Sequence, residues 1–410
     1  MRRRAAAVAV ALSALACAGP AAAKVAAPPS ATVTIWTDHA GAVALTKVAG
    51  DWAASNGVAV RVVEKNFGEL RDDLATVSAA EAPDVAVAAN AWTAALATTG
   101  LVIPIAPKKA TLAHFPAATL DAFSYGPGVK RLYGVPVAVE NIGLVVNTKL
   151  VRVPTTWSRL EKSALAFKKR KKGNLGVAVQ QGANGDAYHM YPFFSGLGGY
   201  IFGVNATGSL DPADLGVANK LFVRSSPLID RWNREGLISS KTDAAAAQGA
   251  FLGGRAAFWV TGPWSIDALA KRPDLKIRIV QVPPIVRPAV PLLGVQGYVV
   301  TRYAAAHGVD AAAKDLVGDY LATAAAQQAL AAASGRYPAS MEAATRVKEP
   351  YLRQFGRAGK GGVAWPNVPQ IDTVWPDLGR AWAKSTRGPR AVKAATAFRT
   401  AARNIAAKIR

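Results

Sequence analysis

Along the first hundred residues, short apolar runs alternate with longer segments of helical spacing. Residues 33–36 and 58–63 read as strands, with a helix over 42–56 between them that ends at Gly57. A helix over 70–79 leads through Pro83 and Asp84 to a strand over 85–88. A further helix over 93–99, closed by Gly100, precedes Val102 and Ile103. This alternation predicts a parallel α/β sheet, whose ligands sit beyond the carboxyl ends of the strands. The rule places residues 37–39, 64–65 and 89–92 on one rim. From Thr156 the pattern builds a second body: a strand over 176–179, an aromatic segment over 187–200 and helices around 218–235, continued by segments over 244–252 and 256–260, a loop over 261–264 and a strand over 277–282. Residues 297–300 and 311–331 return to the first body, and the last helices, including 391–409, close the second.

The stretch 133–150, YGVPVAVENIGLVVNTKL, joins the two bodies. Two Val-rich runs, 135–139 and 142–146, flank Glu140 and Asn141 with no turn signal between them. Continuous apolar runs suit buried strands, and an unpaired carboxylate at their junction would lose its hydration inside a core. Glu140 therefore faces a gap between two bodies, or it is a strand-end carboxylate in solvent or paired with arginine. The segment alone leaves both open.

Composition narrows the class. The 410 residues exceed one ordinary core, and 51% hydrophobic with 18% charged residues describes a globular chain. The start is a targeting segment: Arg2, Arg3 and Arg4 precede an apolar run too short to span a bilayer, and Ala21, Ala22 and Ala23 suit cleavage before Lys24. Lipidation at Cys17, the one cysteine, is the second route. Either way the mature chain is expected outside the cytoplasmic membrane, periplasmic or anchored to its outer face. The formal net charge is +23, three units of which lie in the leader. The excess is dispersed, and its densest run, 168–172, reads as the solvated end of a helix, where cations favour the dipole. No basic–aromatic stripe supports a nucleic-acid partner. His39, His114, His189 and His307 show no metal-ligand spacing, and neither a GxSxG elbow nor a phosphate-binding loop is present, so no cofactor, metal or catalytic residue is expected.

The blocks VTIWTD, PDVAVAANAW, YGVPVAVENIGLVVNTKLV, PTTWSRL, AYHMYPFFSGLGGY, DPADLGVAN, AFLGGRAAFWVTGPW and PNVPQIDTVW run in order through nearly the whole mature chain. Together they resemble the maltose/maltodextrin-binding proteins, extracellular solute-binding components of ABC importers. The resemblance implies a two-lobed periplasmic-binding-protein fold with a hinge and a ligand cleft between the lobes. It divides the chain into a signal peptide over 1–23, a linker over 24–31, an N-terminal lobe over 32–139 and 296–340, and a C-terminal lobe over 140–295 and 341–410. It also implies a monomer that takes an oligosaccharide to a membrane permease.

Position by position, the resemblance makes Glu140 an acceptor for sugar hydroxyls, Tyr188 a ring-contacting aromatic with Asp186 its acidic neighbour, and Trp264 and Trp375 stacking surfaces. Asp38 and His39 correspond to the polar first loop, and Glu64 with Lys65 to a charged tip. Ala91 and Trp92 replace an Asp-Arg pair, so one carboxylate is lost and Trp92 is a candidate stacking face. Pro376 and Gly379 stand where the pattern has Tyr and Arg. These residue types suit a pyranose, whose C–H face packs on aromatic rings while its hydroxyls donate to carboxylates. Trp36, Trp157, Trp232 and Trp259, set among apolar neighbours, are expected in the core. Glu140 with Asp186 as a glycosidase pair is the enzyme alternative, and nothing in their spacing establishes it.

Overall fold

Two sheets, each with its own apolar core, organise the chain in the computed structural model, which describes residues 31–126, 129–206 and 209–409. The leader expected over 1–23, with Cys17, and the linker up to residue 30 lie outside the described residues. In the first sheet Thr32–Thr37 lies between Ala59–Glu64 and Val85–Ala89, parallel to both. Val33, Ile35 and the residues from Val85 to Ala88 are fully buried, as parallel strands covered on both faces should be. The helix His39–Asn56 begins three residues earlier than its apolar spacing suggests, because Asp38 caps it by accepting from the Gly41 amide at 2.9 Å. Gly57, at φ 64°, ends it.

Leu292–Thr301 runs antiparallel to Val85–Ala89, Val102–Ile103 and Gly134–Asn141. The first sheet is therefore mixed, not parallel as the alternation predicts. Its later strands arrive from, or depart for, the second body, so no helical crossover fixes their direction. In the second sheet Gly143–Asn147 is flanked antiparallel by Phe258–Thr261 and Ile277–Val280, with Ala178–Val179 parallel to Phe258–Thr261. Trp157 and Trp232 pack 4.8 Å apart beside Phe193, and Trp36 and Trp259 are also buried, as their apolar surroundings predict. The helix Trp157–Arg170 ends in the basic run. A hairpin, Phe202–Val204 with Leu210–Leu215, adds two strands with no clear sequence signal.

The chain passes from one sheet to the other between Asn141 and Gly143, and returns through Leu292–Thr301. These passages lie side by side. Leu293 pairs with Asn141 on one flank and Ala364 on the other, and its carbonyl accepts from the Trp365 amide at 3.0 Å. Buried Asn141 donates to the Phe355 carbonyl at 3.0 Å, tying the helix Pro350–Ala358 to the same point. Such a bundle of extended passages can act as a hinge. Among the described residues no helix is long and apolar enough to cross a membrane.

The last two helices are stapled by one carboxylate. Buried Asp377 accepts from Arg380 at 2.8 Å, Asn404 at 3.2 Å and Lys408 at 2.6 Å. Burial opposes its ionisation, yet these donors hold its pKa down to about 2, against a usual 3.8. A depressed pKa contributes stability above the unfolded value that is lost as pH falls through the folded one. The stability advantage of the native chain over Asp377→Asn should therefore shrink between about pH 4 and about pH 2 in denaturant titrations. An advantage that stays constant through that window would contradict the staple.

Candidate ligand cleft

Four aromatic side chains meet between the two sheets. Tyr188 lies in the first turn of Ala187–Gly196, a helix capped by Asp186, which accepts from the His189 amide at 2.9 Å. Trp264 sits on the Pro263–Ser265 turn directly after the strand Phe258–Thr261 and is 49% exposed. Gly262 leaves room for this placement of the ring, since a Cβ there would fall 2.3 Å from the folded-back indole and displace it. Trp375 projects from the first turns of Ile371–Ser385, and Trp365 follows the short strand Val363–Ala364. Ring centroids stand 6.2 Å apart for Trp264 and Tyr188, 5.2 Å for Tyr188 and Trp365, and 4.2 Å for Trp365 and Trp375. The result is one continuous aromatic file.

Glu140 lies beside the middle of this file, at Tyr188 and Trp365. The Tyr188 hydroxyl donates to its carbonyl at 3.5 Å, and a cavity of about 290 Å³ is lined by Phe67, Trp92, Glu140, Tyr188, Gln296 and Trp365. Trp92 stacks on Phe67 with centroids 4.8 Å apart. On the other flank a hollow of about 510 Å³ is lined by Asp186, Tyr188, Trp365, Trp375, Pro376 and Arg380. Across the mouth Arg71 of the first body pairs with Asp372 of the second at 3.0 Å.

The acids of the cleft are not equivalent. The Arg336 guanidinium holds both oxygens of Asp38, one of them at 3.2 Å, and its Nε lies 3.9 Å from Glu140. Burial pushes the Glu140 carboxyl above its usual range, Arg336 opposes that shift, and the Asp38 charge adds to it. At Asp186 burial also works against ionisation, but hydrogen bonds from His189 and Gln180 outweigh it and lower the pKa. Asp186 accepts from the His189 ring at 2.8 Å and from Gln180 at 2.6 Å, so both of its oxygens are committed. It acts on the cleft through His189, whose ring meets Tyr188 and Trp264 edge-on at 5.9 and 5.5 Å. Burial, with Glu140 and Asp186 adding to it, pushes the Tyr188 phenol far above its usual value and keeps it a neutral donor.

The structure thus brings Trp92, Glu140, Asp186, Tyr188, Trp264 and Trp375 to one cleft. Asp38 reaches it only through Arg336, its carboxylate already satisfied as a helix cap and ion-pair partner. His39 and Glu64 pair at 3.1 Å as an exposed couple on the rim and line neither hollow. Lys65 turns away to Asp73 and lies over Trp36. Gly379, which stands in place of an arginine, packs tightly: a Cβ there would meet the Asn184 carbonyl oxygen at 3.0 Å, and a Cβ on Gly185, at φ 73° in the facing turn, would fall 1.8 Å from the Gly379 carbonyl oxygen.

The sequence gives no site role to Trp365 or Arg336, and it offers His189 only as a histidine without metal-ligand spacing. Trp365 carried a usable signal, a tryptophan directly before a proline as in Trp375-Pro376, and it immediately precedes the PNVPQ block. Arg336 carried less, a lone cation after Gly335 in an alanine-rich stretch. Among the described residues no group of three His, Cys, Asp or Glu side chains could hold a metal ion.

The chain matches the family described as bacterial extracellular solute-binding protein over residues 47–351. It is 28% identical to the maltodextrin-binding protein MdxE of Bacillus subtilis (strain 168) over 342 residues, 78% of this chain and 76% of the relative. It is 27% identical to the galactooligosaccharide-binding protein of the same organism over 247 residues, 58% of this chain and only 56% of that protein. In fold it is similar to a cyclo/maltodextrin-binding protein solved with maltotetraose, with a TM-score of 0.82 at 23% identity, covering 92% of this chain and 97% of the other. The two sheets are accordingly the two lobes of a solute-binding fold. The matched segment covers most of the chain, which belongs to the bacterial extracellular solute-binding proteins.

Proposed function

We propose that this chain is a non-catalytic receptor for a neutral oligosaccharide of the maltodextrin type, which it delivers to the membrane permease of an ABC importer. The observation that carries this reading is the aromatic file from Trp264 to Trp375 running past Glu140 between the lobes. Flat rings bury the apolar faces of successive sugars, while Glu140 accepts from their hydroxyls. A hydrogen bond to a charged acceptor contributes about 1.5–3 kcal/mol net. Two or three such bonds with aromatic burial supply the roughly 8 kcal/mol of micromolar affinity. Ligand touching both lobes favours the closed state, in which Arg71 meets Asp372. Export through the leader, with Cys17 lipidation as the alternative, belongs to the same proposal.

A glycosidase needs two available carboxylates flanking the scissile bond. Asp186 and Asp38 are already committed to His189, Gln180 and Arg336, which leaves Glu140 without a catalytic companion. Calorimetric titration tests the site. Glu140→Ala and Trp264→Ala should each lower affinity for maltotriose by about 10- to 100-fold, the span of one charged hydrogen bond or one buried ring. Their unfolding midpoints should stay near the native value. Unaltered affinity in both variants would remove these residues from the site.

A further inference from the structure

Within the dispersed positive charge, one group of exposed cations gathers on one pole of the second lobe. Lys169, Arg170, Lys171 and Lys172 end the helix Trp157–Arg170 and begin the following turn, all exposed. Lys168 donates to the Glu235 carbonyl at 2.8 Å, bringing the end of Pro227–Glu235, with exposed Arg234, alongside. Asn233 exchanges hydrogen bonds with the backbone of Gly388 at 3.1 and 2.8 Å, which adds exposed Arg387, Arg390 and Lys393. Residues 378–410 contain no Asp or Glu. None of these eight exposed cations enters an ion pair among the described residues. Glu235 is the exposed acid among them, and the neighbouring Glu161 is held by Arg231 at 2.7 Å.

This pole faces away from the cleft. The strand Phe258–Thr261 runs toward Trp264, and Ala178–Val179 lies parallel to it, so residues 168–173 sit at the opposite end of the sheet. The helix Ile371–Ser385 likewise begins beside Trp375 and ends next to Arg387, about 20 Å away at 1.5 Å per residue.

We infer that this pole is a docking surface for an anionic phospholipid bilayer, leaving the sugar cleft open to solution. The cations are long, exposed side chains spread over three elements. That distribution suits diffuse attraction to a charged plane, where each Lys or Arg near the surface contributes about 1 kcal/mol. Exposed Val392 sits among them between Arg390 and Lys393, an apolar contact of the kind that sinks into a headgroup layer. Aromatic rings for stacking nucleobases are absent from this set of exposed side chains.

The test is co-sedimentation of the purified chain, lacking its leader, with vesicles of phosphatidylcholine containing about one-third phosphatidylglycerol, beside pure phosphatidylcholine vesicles. Binding is expected only to the anionic vesicles and should fall at least tenfold on raising salt from about 0.05 to about 0.3 M. The variant Lys171→Gln, Lys172→Gln, Arg387→Gln, Arg390→Gln should lose at least tenfold in vesicle binding with maltotriose affinity and melting temperature unchanged. Equal binding to neutral vesicles, no binding to anionic ones, or an unaffected quadruple variant would overturn the inference. So would retention on a soluble polyanion such as polyglutamate without binding to vesicles. Failure of maltotriose binding in the unmodified chain would instead bear on the cleft alone.

Discussion

Replacing Trp365 with alanine should weaken maltotriose binding by about 30-fold or more, corresponding to roughly 2 kcal/mol for a central aromatic anchor. Its ring joins Tyr188 to Trp375 and lines the hollows on both sides of the file, so its loss divides the file in two. The segment itself should stay in place, because its attachments are made by the main chain. The Trp365 amide donates to Leu293 at 3.0 Å, and its carbonyl accepts from buried Asn90 at 2.8 Å. No side-chain hydrogen bond is sacrificed either, since the buried indole N–H has no partner. Trp365→Phe, which keeps a flat face, should recover most of the affinity. Calorimetry on the three proteins, with thermal melts as a folding control, measures this; equal affinity in Trp365→Ala would show that the file is not a binding surface.

The second large effect concerns stability. Arg336→Met should destabilise the protein by about 3 kcal/mol, because removing one partner of a largely buried ion pair leaves the other without compensation. Asp38 and Glu140 have side chains only 12% and 29% exposed, and Arg336 is the cation that separates their charges. Without it the Glu140 carboxyl, already raised by burial and by Asp38, rises further, and the variant should bind sugar less well at neutral pH. Asp38→Asn combined with Arg336→Met should restore most of the stability, since asparagine still caps the helix His39–Asn56 and carries no charge. Urea titrations of both single variants and the double variant form the cycle. A change below about 0.5 kcal/mol in Arg336→Met would show that the pair is too well hydrated to matter.

Much of the architecture was legible because it depends on local signals. The apolar runs on either side of Glu140 did become strands of different sheets, since a run of Val and Ile at that length has few other ways to bury itself. The helix expected over 42–56 is present as His39–Asn56, extended at its start by the Asp38 cap. Strand direction was less accessible: Leu292–Thr301 takes its antiparallel sense from where the second lobe releases it, and no local spacing records that. The candidate site divides along the same line. Tyr188, Trp264 and Trp375 stand in recognisable blocks, whereas the role of Asp38 depends on Arg336, 298 positions further along the chain. At Asp186 residue type alone does not give the carboxylate's availability. A carboxylate beside a tyrosine suggests a ligand contact, but as a helix cap it was already facing the His189 amide, and its second oxygen took the imidazole.

Whether paired lobes clasp an uncharged sugar is tested most directly by calorimetric titration of the leaderless chain with maltotriose, with maltotetraose and a galactooligosaccharide alongside. Saturable binding of a maltodextrin near micromolar Kd, about 8 kcal/mol, is the expected result. Absence of heat and of any thermal shift with all three neutral oligosaccharides would contradict it.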